Sequence, residues 1–452
     1  MGSFMQQLLT LLGSCTAFLW SGPLLFLLLG THLYFTLRLG FIQRFLPRGI
    51  RLTFSRNDGT ETGVSPFGAL ATALAATIGT GNIIGISTAI ALGGPGAVFW
   101  CWLTGLLGIA TCYGECFLSM RFRTRLADGQ PAGGPMYVLL LGLGKKGLAR
   151  LFAAAAILAS FGMGSSVQSH SIYQAVATCL PGNARLSSLL PHLVGMATAL
   201  LAGAVMLGGA RKIAGICTFL VPFMSLFYLG GCGYLLFLHR DWLLPALSLI
   251  LKCAFTPSAA LGGAAGAGLL AGLRVGISRG LFTNEAGLGS IPMAAASSQS
   301  DSPTRQSLIS MTGPFWDTVV ICAVTGLVLV SSMLAEPAVY QKVPMEAICF
   351  TAFSRLPLLG PQILALSLIL FAFATILGWC CYGERSVTFL AGEHGKKPYQ
   401  VAYLVFVYLG AVIPLKLVWD LSDLLNALMM LPNLLALWLL RRQILPPGRR
   451  GI

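Results

Sequence analysis

The chain has 452 residues, of which 56% are hydrophobic and only 10% charged, with a mean hydropathy of +0.80. Soluble domains carry roughly 25% charged residues, so the composition excludes one and leaves a polytopic membrane protein. The formal charge of +15 would suit nucleic acid in a soluble chain, but here the basic residues sit in short connections between apolar runs, the mark of orientation in a lipid bilayer, and no nucleic-acid partner is expected.

Runs near the roughly 20 residues that cross a bilayer predict an all-α protein of eleven spans, at about 17–38, 66–91, 96–120, 148–180, 188–208, 213–238, 257–279, 307–335, 359–391, 398–416 and 420–440. No Lys or Arg precedes the first run, which is therefore read as a helix and not as a removable signal peptide. If it crosses from outside to inside, twenty-three Lys and Arg fall on inner connections, among them Arg38, Arg44, Arg48, Arg51, Arg121, Arg274, Arg279 and Arg385. Only Arg185, Arg240, Lys252, Lys342, Arg355 and Lys416 fall outside. The asymmetry predicts an outer N-terminus and a cytoplasmic C-terminus in a plasma membrane, the inner membrane of a prokaryotic cell.

The second span holds the central motif, Thr77-Ile78-Gly79-Thr80-Gly81-Asn82. Glycines and hydroxyls weaken a helix at a depth where lipid replaces no lost hydrogen bond, so a break there must face protein, water or ligand. Freed N–H groups at the start of the second half-helix suit a carboxylate, and freed carbonyls suit a small cation. Thr77, Gly79, Thr80, Gly81 and Asn82 are thus candidate substrate-binding residues, and the carbonyls of Ile78 and Gly79 candidate sodium ligands. The alternative is that the glycines only let two helices pack closely.

The seventh span is also irregular, through the glycine-rich run 257–268, and the preceding Trp242 to Phe255 reads as an amphipathic helix on the outer face. Two broken spans in corresponding places predict two five-helix inverted repeats, 66–238 and 257–440. Residues 1–65 then form an extra helix and loop, 239–256 the interfacial helix and 441–452 the tail. Asn284-Glu285, followed by two glycines, suits either a gate at the cytoplasmic mouth or a simple cap and turn.

Polar residues within spans complete the inventory. Gln168 follows a strip of glycine and serine on the fourth span and is a candidate pocket residue, with helix–helix bonding as the alternative. His170 is either proton-linked or structural. Thr375 and Trp379, four apart, share a helix face; the hydroxyl is a third candidate sodium ligand, with a back-bond within its own helix as the competing use, and the indole a candidate lid. An ionised acid at mid-depth costs about 2.5–3.5 kcal/mol, so Glu115, Asp317 and Glu384 each need a partner. Arg121 is the expected neighbour of Glu115 and Arg385 of Glu384, while Asp317, placed near the inner end of its span, is the candidate gate or coupling residue.

Gly79-Thr80-Gly81-Asn82, Gly93 to Ala97, Gly133 to Tyr137, Arg279 to Ser290, Phe315 to Thr318, Gly378-Trp379 with Tyr382 to Arg385, and Trp419 to Asp423 occur in this order. Together they resemble the sodium:alanine symporter family over residues 66 to 440. The resemblance implies a leucine-transporter-type inverted-repeat fold and sodium-driven uptake of small neutral amino acids. It implies a pocket built from the Gly79–Asn82 break, Gln168, Thr375 and Trp379. The sequence departs from the family pattern at His170, where Asn is usual, at Ala374, where a second hydroxyl often stands, and at Ala264, which is aromatic in some members and belongs to the candidate pocket.

The sequence predicts no enzyme: its five histidines are isolated and it lacks G-x-x-x-x-G-K-[ST]. No cofactor is expected beyond the coupling ion. About 2.3 kcal/mol from 100 mV and about 1.4 kcal/mol from a tenfold sodium gradient suffice to concentrate a substrate several hundredfold per ion. A proton-coupled amino-acid carrier of the same fold is the close alternative, and a channel the more distant one.

Overall fold

A computed structural model describes residues 22–55, 62–126, 129–180, 184–256, 269–341, 343–413 and 416–448. Helix α1 (Pro23–Arg38) bends by 63° into a helical stretch over Ile42–Thr53. The second span is broken into α2 (Pro66–Thr77) and α3 (Ile84–Gly93). There follow α4 (Gly96–Arg121), α5 (Lys146–Cys179), α6 (Ala184–Met206), α7 (Gly209–Leu238) and α8 (Leu243–Phe255). The second half comprises α9 (Leu269–Asn284), α10 (Ile291–Ala295), α11 (Pro303–Ala335), α12 (Gly360–Ala391), α13 (Lys396–Val412) and α14 (Lys416–Leu439). Helix α8 buries Ala246, Ile250 and Ala254, one stripe at helical spacing, and its Ala254 carbonyl accepts from the Trp100 indole at 3.1 Å.

Burial separates centre from periphery. In an 18-residue apolar window of α12, 72% of residues are buried, against 33% for α7; α12 is therefore a central element and α7 a peripheral one. The centre is assembled through small residues, because without water to expel, helices in lipid gain most from close backbone approach. Gly272, Gly276 and Gly280 on α9 face Gly93, Ala97 and Cys101 in turn, and a Cβ on Gly276 would lie 2.4 Å from the Ala97 carbonyl oxygen. Gly378 on α12 likewise meets the backbone of Ala76.

The second broken span is described only in part. The glycine-rich run 257–268, with Ala264, lies outside the described residues. Further along the same span α9 ends at Asn284, residues 285–290 are non-helical, and α10 resumes at Ile291. Ala286 packs against Gly108, the midpoint of α4, so this break sits halfway along the bundle. Arg274 and Arg279, counted with an inner connection, stand on α9 itself, beside the first turns of α4.

Candidate functional site

The first break begins where the α2 ladder stops. Ile78 N–H donates to the Leu74 carbonyl at 2.7 Å, and the carbonyls of Ala75, Ala76 and Thr77 lie beyond the last helical bond. The next amide, that of Gly79, donates instead to Oδ1 of Asn82 at 2.9 Å. One side chain thus replaces a turn of helix. Asn82 N–H then reaches the Gly79 carbonyl and Ile83 N–H the Thr80 carbonyl, both at 3.3 Å, before α3 starts.

Around this break the structure collects most of the expected side chains. The Thr80 hydroxyl donates to Oε1 of Gln168 at 3.2 Å, and Gln168 Nε2 donates to the Met163 carbonyl at 3.2 Å. Met163 lies in a π-helical stretch, Ser160–Ser166. A Cβ on Gly79 would stand 2.7 Å from Thr375 Oγ1 and 3.6 Å from Gln168 Oε1. The Thr375 hydroxyl donates to Phe371 O at 3.0 Å, which spends its proton and leaves its lone pairs toward Gly79. Trp379, one turn along α12, is fully buried, with Gly164 giving room for its ring.

Other expected residues sit differently. Thr77 is buried with its hydroxyl 3.4 Å from the Leu74 carbonyl, and Ile78 is packed in the apolar core. Gly81 faces α9, where a Cβ would meet Thr283 at 3.0 Å and Phe282 at 3.2 Å. His170 lies on the far side of α5, against Gly410 and Ile413.

The acids form their own arrangement. Asp317 is fully buried in a second π-helical stretch, Phe315–Cys322, and lies near mid-depth instead of the inner end of its span, since its neighbour Thr318 packs on Gly105 of α4. Asn82 Nδ2 donates to Asp317 Oδ1 at 2.7 Å and to its carbonyl at 3.2 Å; Thr318 Oγ1 donates to Oδ2 at 2.6 Å, and Thr283 Oγ1 lies 3.2 Å from Thr318 Oγ1. Glu285, expected at a cytoplasmic mouth, is also fully buried and adopts a left-handed φ of 53°. Its Oε1 accepts from Trp379 Nε1 at 3.1 Å and its Oε2 from the Ser290 hydroxyl. Glu115 bonds to Asn433 and not to Arg121; Glu384 accepts from Gln400 at 2.6 Å while Arg385 reaches the Pro131 carbonyl.

Two breaks, one from each half and joined through Asn82, Thr283 and Trp379, are the geometry of an inverted-repeat carrier. The family model for the sodium:alanine symporter family matches residues 5–446. The chain belongs to this family. A sodium/alanine symporter of Methanococcus maripaludis, AgcS, is 41% identical over 443 residues, 96% of this chain and 95% of that protein. An uncharacterised transporter of Haemophilus influenzae is 44% identical over 96% of this chain and 94% of its own length. Among solved structures, MhsT in complex with L-phenylalanine superimposes with a TM-score of 0.60 at 16% identity, covering 84% of this chain and 90% of that one. The fold is therefore the leucine-transporter type, and the chain is a multi-pass membrane carrier that couples amino-acid transport to a cation, not an enzyme.

Sequence reasoning missed Phe282, Thr283 and Asn433. Thr283 and Asn433 had a signal, polar residues inside apolar runs; Phe282 had none, since an aromatic in a span is usually packing.

Proposed function

We propose that this symporter imports small neutral amino acids, alanine and glycine, together with sodium by alternating access. The supporting observation is the contact of Gly79 with Thr375 and Gln168, where backbone freed from its ladder meets two uncharged polar side chains. The substrate carboxylate lies against the amides of Thr80 and Gly81, since the Gly79 amide is taken by Asn82. Sodium lies among the carbonyls of Ile78 and Gly79 and the lone pairs of Thr375, an all-oxygen set of the kind hard cations prefer. Trp379 bounds the pocket at its far end, which favours a short side chain, and Asp317 and Glu285 serve as gate or coupling residues. The proposed orientation, N-terminus outside and C-terminus cytoplasmic in a prokaryotic plasma membrane, is supported by the inner excess of Lys and Arg.

Proteoliposomes loaded without sodium test this reading. An imposed inward sodium gradient is expected to accumulate labelled alanine above its outer concentration, and choline in place of sodium at fixed pH to abolish it. A proton-coupled carrier is the second reading. It is favoured by Glu115, Glu285 and Asp317, which are buried and, among the described residues, form no ion pair with Lys or Arg. Uptake that survives choline and follows an imposed pH gradient would select it.

A further inference from the structure

The 63° bend after α1 turns the helical stretch Ile42–Thr53 out of the direction of that span. The stretch runs beside the first turns of α11. A Cβ on Gly49 would lie 2.3 Å from the Leu308 carbonyl oxygen, and Arg305 Nη2 donates to the Ser55 hydroxyl at 2.7 Å. The rings of Phe54 and Phe67, the latter in the first turn of α2, are 5.7 Å apart. In the orientation proposed above, this places the stretch at the inner rim of the bundle, where lipid headgroups begin. Its two faces differ. Ile42, Gly49 and Thr53 are buried. Arg44, Arg48 and Arg51, spaced i, i+4 and i+7, share the opposite face, and Arg38 stands just before the bend. Arg38, Arg44 and Arg51 are exposed, and among the described residues none of the four arginines is ion-paired. Phe41 at the bend, with a left-handed φ of 57°, and Phe54 at the far end are 60% and 76% exposed.

We propose that Arg38, Arg44, Arg48 and Arg51 form a binding site for the headgroups of anionic phospholipids. Like charges at this helical spacing repel, so the row gains stability from anions beside it. A guanidinium presents a fork that matches phosphate oxygens, and basic clusters directly after a transmembrane helix are drawn to anionic lipid. The flanking rings select a lipid over a soluble anion: Phe41 and Phe54 offer apolar surface that a free phosphate leaves in water and that acyl chains cover. The buried face passes on what the charged face binds. Through Gly49 and Ser55 the stretch is fastened to the start of α11, the helix that carries Asp317, so a bound headgroup fixes the inner end of α11 against the bilayer surface. The site requires neither the substrate nor the coupling ion proposed above.

The test compares the full-length protein with a triple variant, Arg44→Gln, Arg48→Gln and Arg51→Gln, by thermal melting in a neutral detergent. Each is titrated with short-chain phosphatidylglycerol, short-chain phosphatidylcholine or inorganic phosphate. Phosphatidylglycerol is expected to raise the melting temperature of the unsubstituted protein, and the other two to leave it unchanged. Without lipid the triple variant is expected to melt at or above the unsubstituted protein, because the repulsion along the row is gone. Its half-saturating concentration of phosphatidylglycerol is expected to rise by about fivefold for each arginine removed, the scale of one basic side chain at an anionic surface. Equal stabilisation by phosphatidylcholine, or a triple variant that responds at the same phosphatidylglycerol concentration, would overturn the proposal. So would a response to inorganic phosphate that matches the lipid, which makes the site one for a soluble anion. A triple variant that melts far lower without lipid would overturn it too, since the arginines then hold protein and not lipid. If the triple variant does not fold, Arg48→Gln and Arg51→Gln, taken singly through the same titration, decide.

Discussion

The indole N–H of Trp379 donates to the carboxyl group of Glu285 at 3.1 Å, joining the centre of α12 to the break of the second broken span. Thr375, one turn away on the same helix, abuts the first break through Gly79. One helix therefore touches both interruptions.

Trp379→Phe keeps the ring and removes the donor. The Glu285 oxygen it leaves is buried, so about 1–3 kcal/mol of stability is expected to be lost, with slower uptake. Glu285→Gln retains an acceptor for the indole and is expected to melt closer to the unsubstituted protein. Thermal melting of both variants beside their uptake rates checks this.

Gly79→Ala places a methyl group 2.7 Å from Thr375 Oγ1. Alanine binding is expected to weaken by about tenfold or more, because overpacking of this order costs about 1–3 kcal/mol. Gly81→Ala meets the Thr283 methyl at 3.0 Å and the Phe282 ring at 3.2 Å, away from Thr375 and Gln168, and is expected to leave affinity nearer normal. Equilibrium binding of labelled alanine in sodium separates the two.

Asn82→Leu removes at once the acceptor of the Gly79 amide and the donor to Asp317. A cost of about 1–3 kcal/mol is expected from each group left without its partner, the Gly79 amide and Asp317 Oδ1. Asp317→Asn keeps the size, accepts from Asn82 and is expected to fold; its sodium dependence of uptake then reads whether Asp317 takes part in coupling.

Gly276→Leu forces apart α4 and α9, since even its first carbon would lie 2.4 Å from the Ala97 carbonyl. Loss of the folded, detergent-stable protein is expected by size-exclusion chromatography, whereas Gly215→Leu, with open space around it, is expected to be tolerated.

Hydropathy carried much of the architecture into the sequence, because every span must satisfy its own backbone and show lipid an apolar face. The first break was legible for the same reason: Gly79-Thr80-Gly81-Asn82 has no local explanation as a helix. The second was not. Asn284 to Ser290 reads like an ordinary cap, and what makes it a buried interruption comes from distant parts of the chain, Glu115 on α4, Asn433 on α14 and Trp379 on α12. For Glu115 and Glu384 the sequence offers Arg121 and Arg385 as nearby bases, yet on a helix a neighbour by number points to another face. The orientation of Gly81 was likewise invisible, because it depends on the hand of a single non-helical turn.

Gly272 brings α9 against Gly93 at the end of α3, and Gly276 and Gly280 bring it against the backbone of Ala97 and Cys101 on α4. Such a seam leaves little room for sliding, so α9 and α4 are expected to travel as one plate through the transport cycle. A pair of spin labels set across the seam should report a constant separation, while a pair from α9 to α13 lengthens and shortens as the carrier turns over.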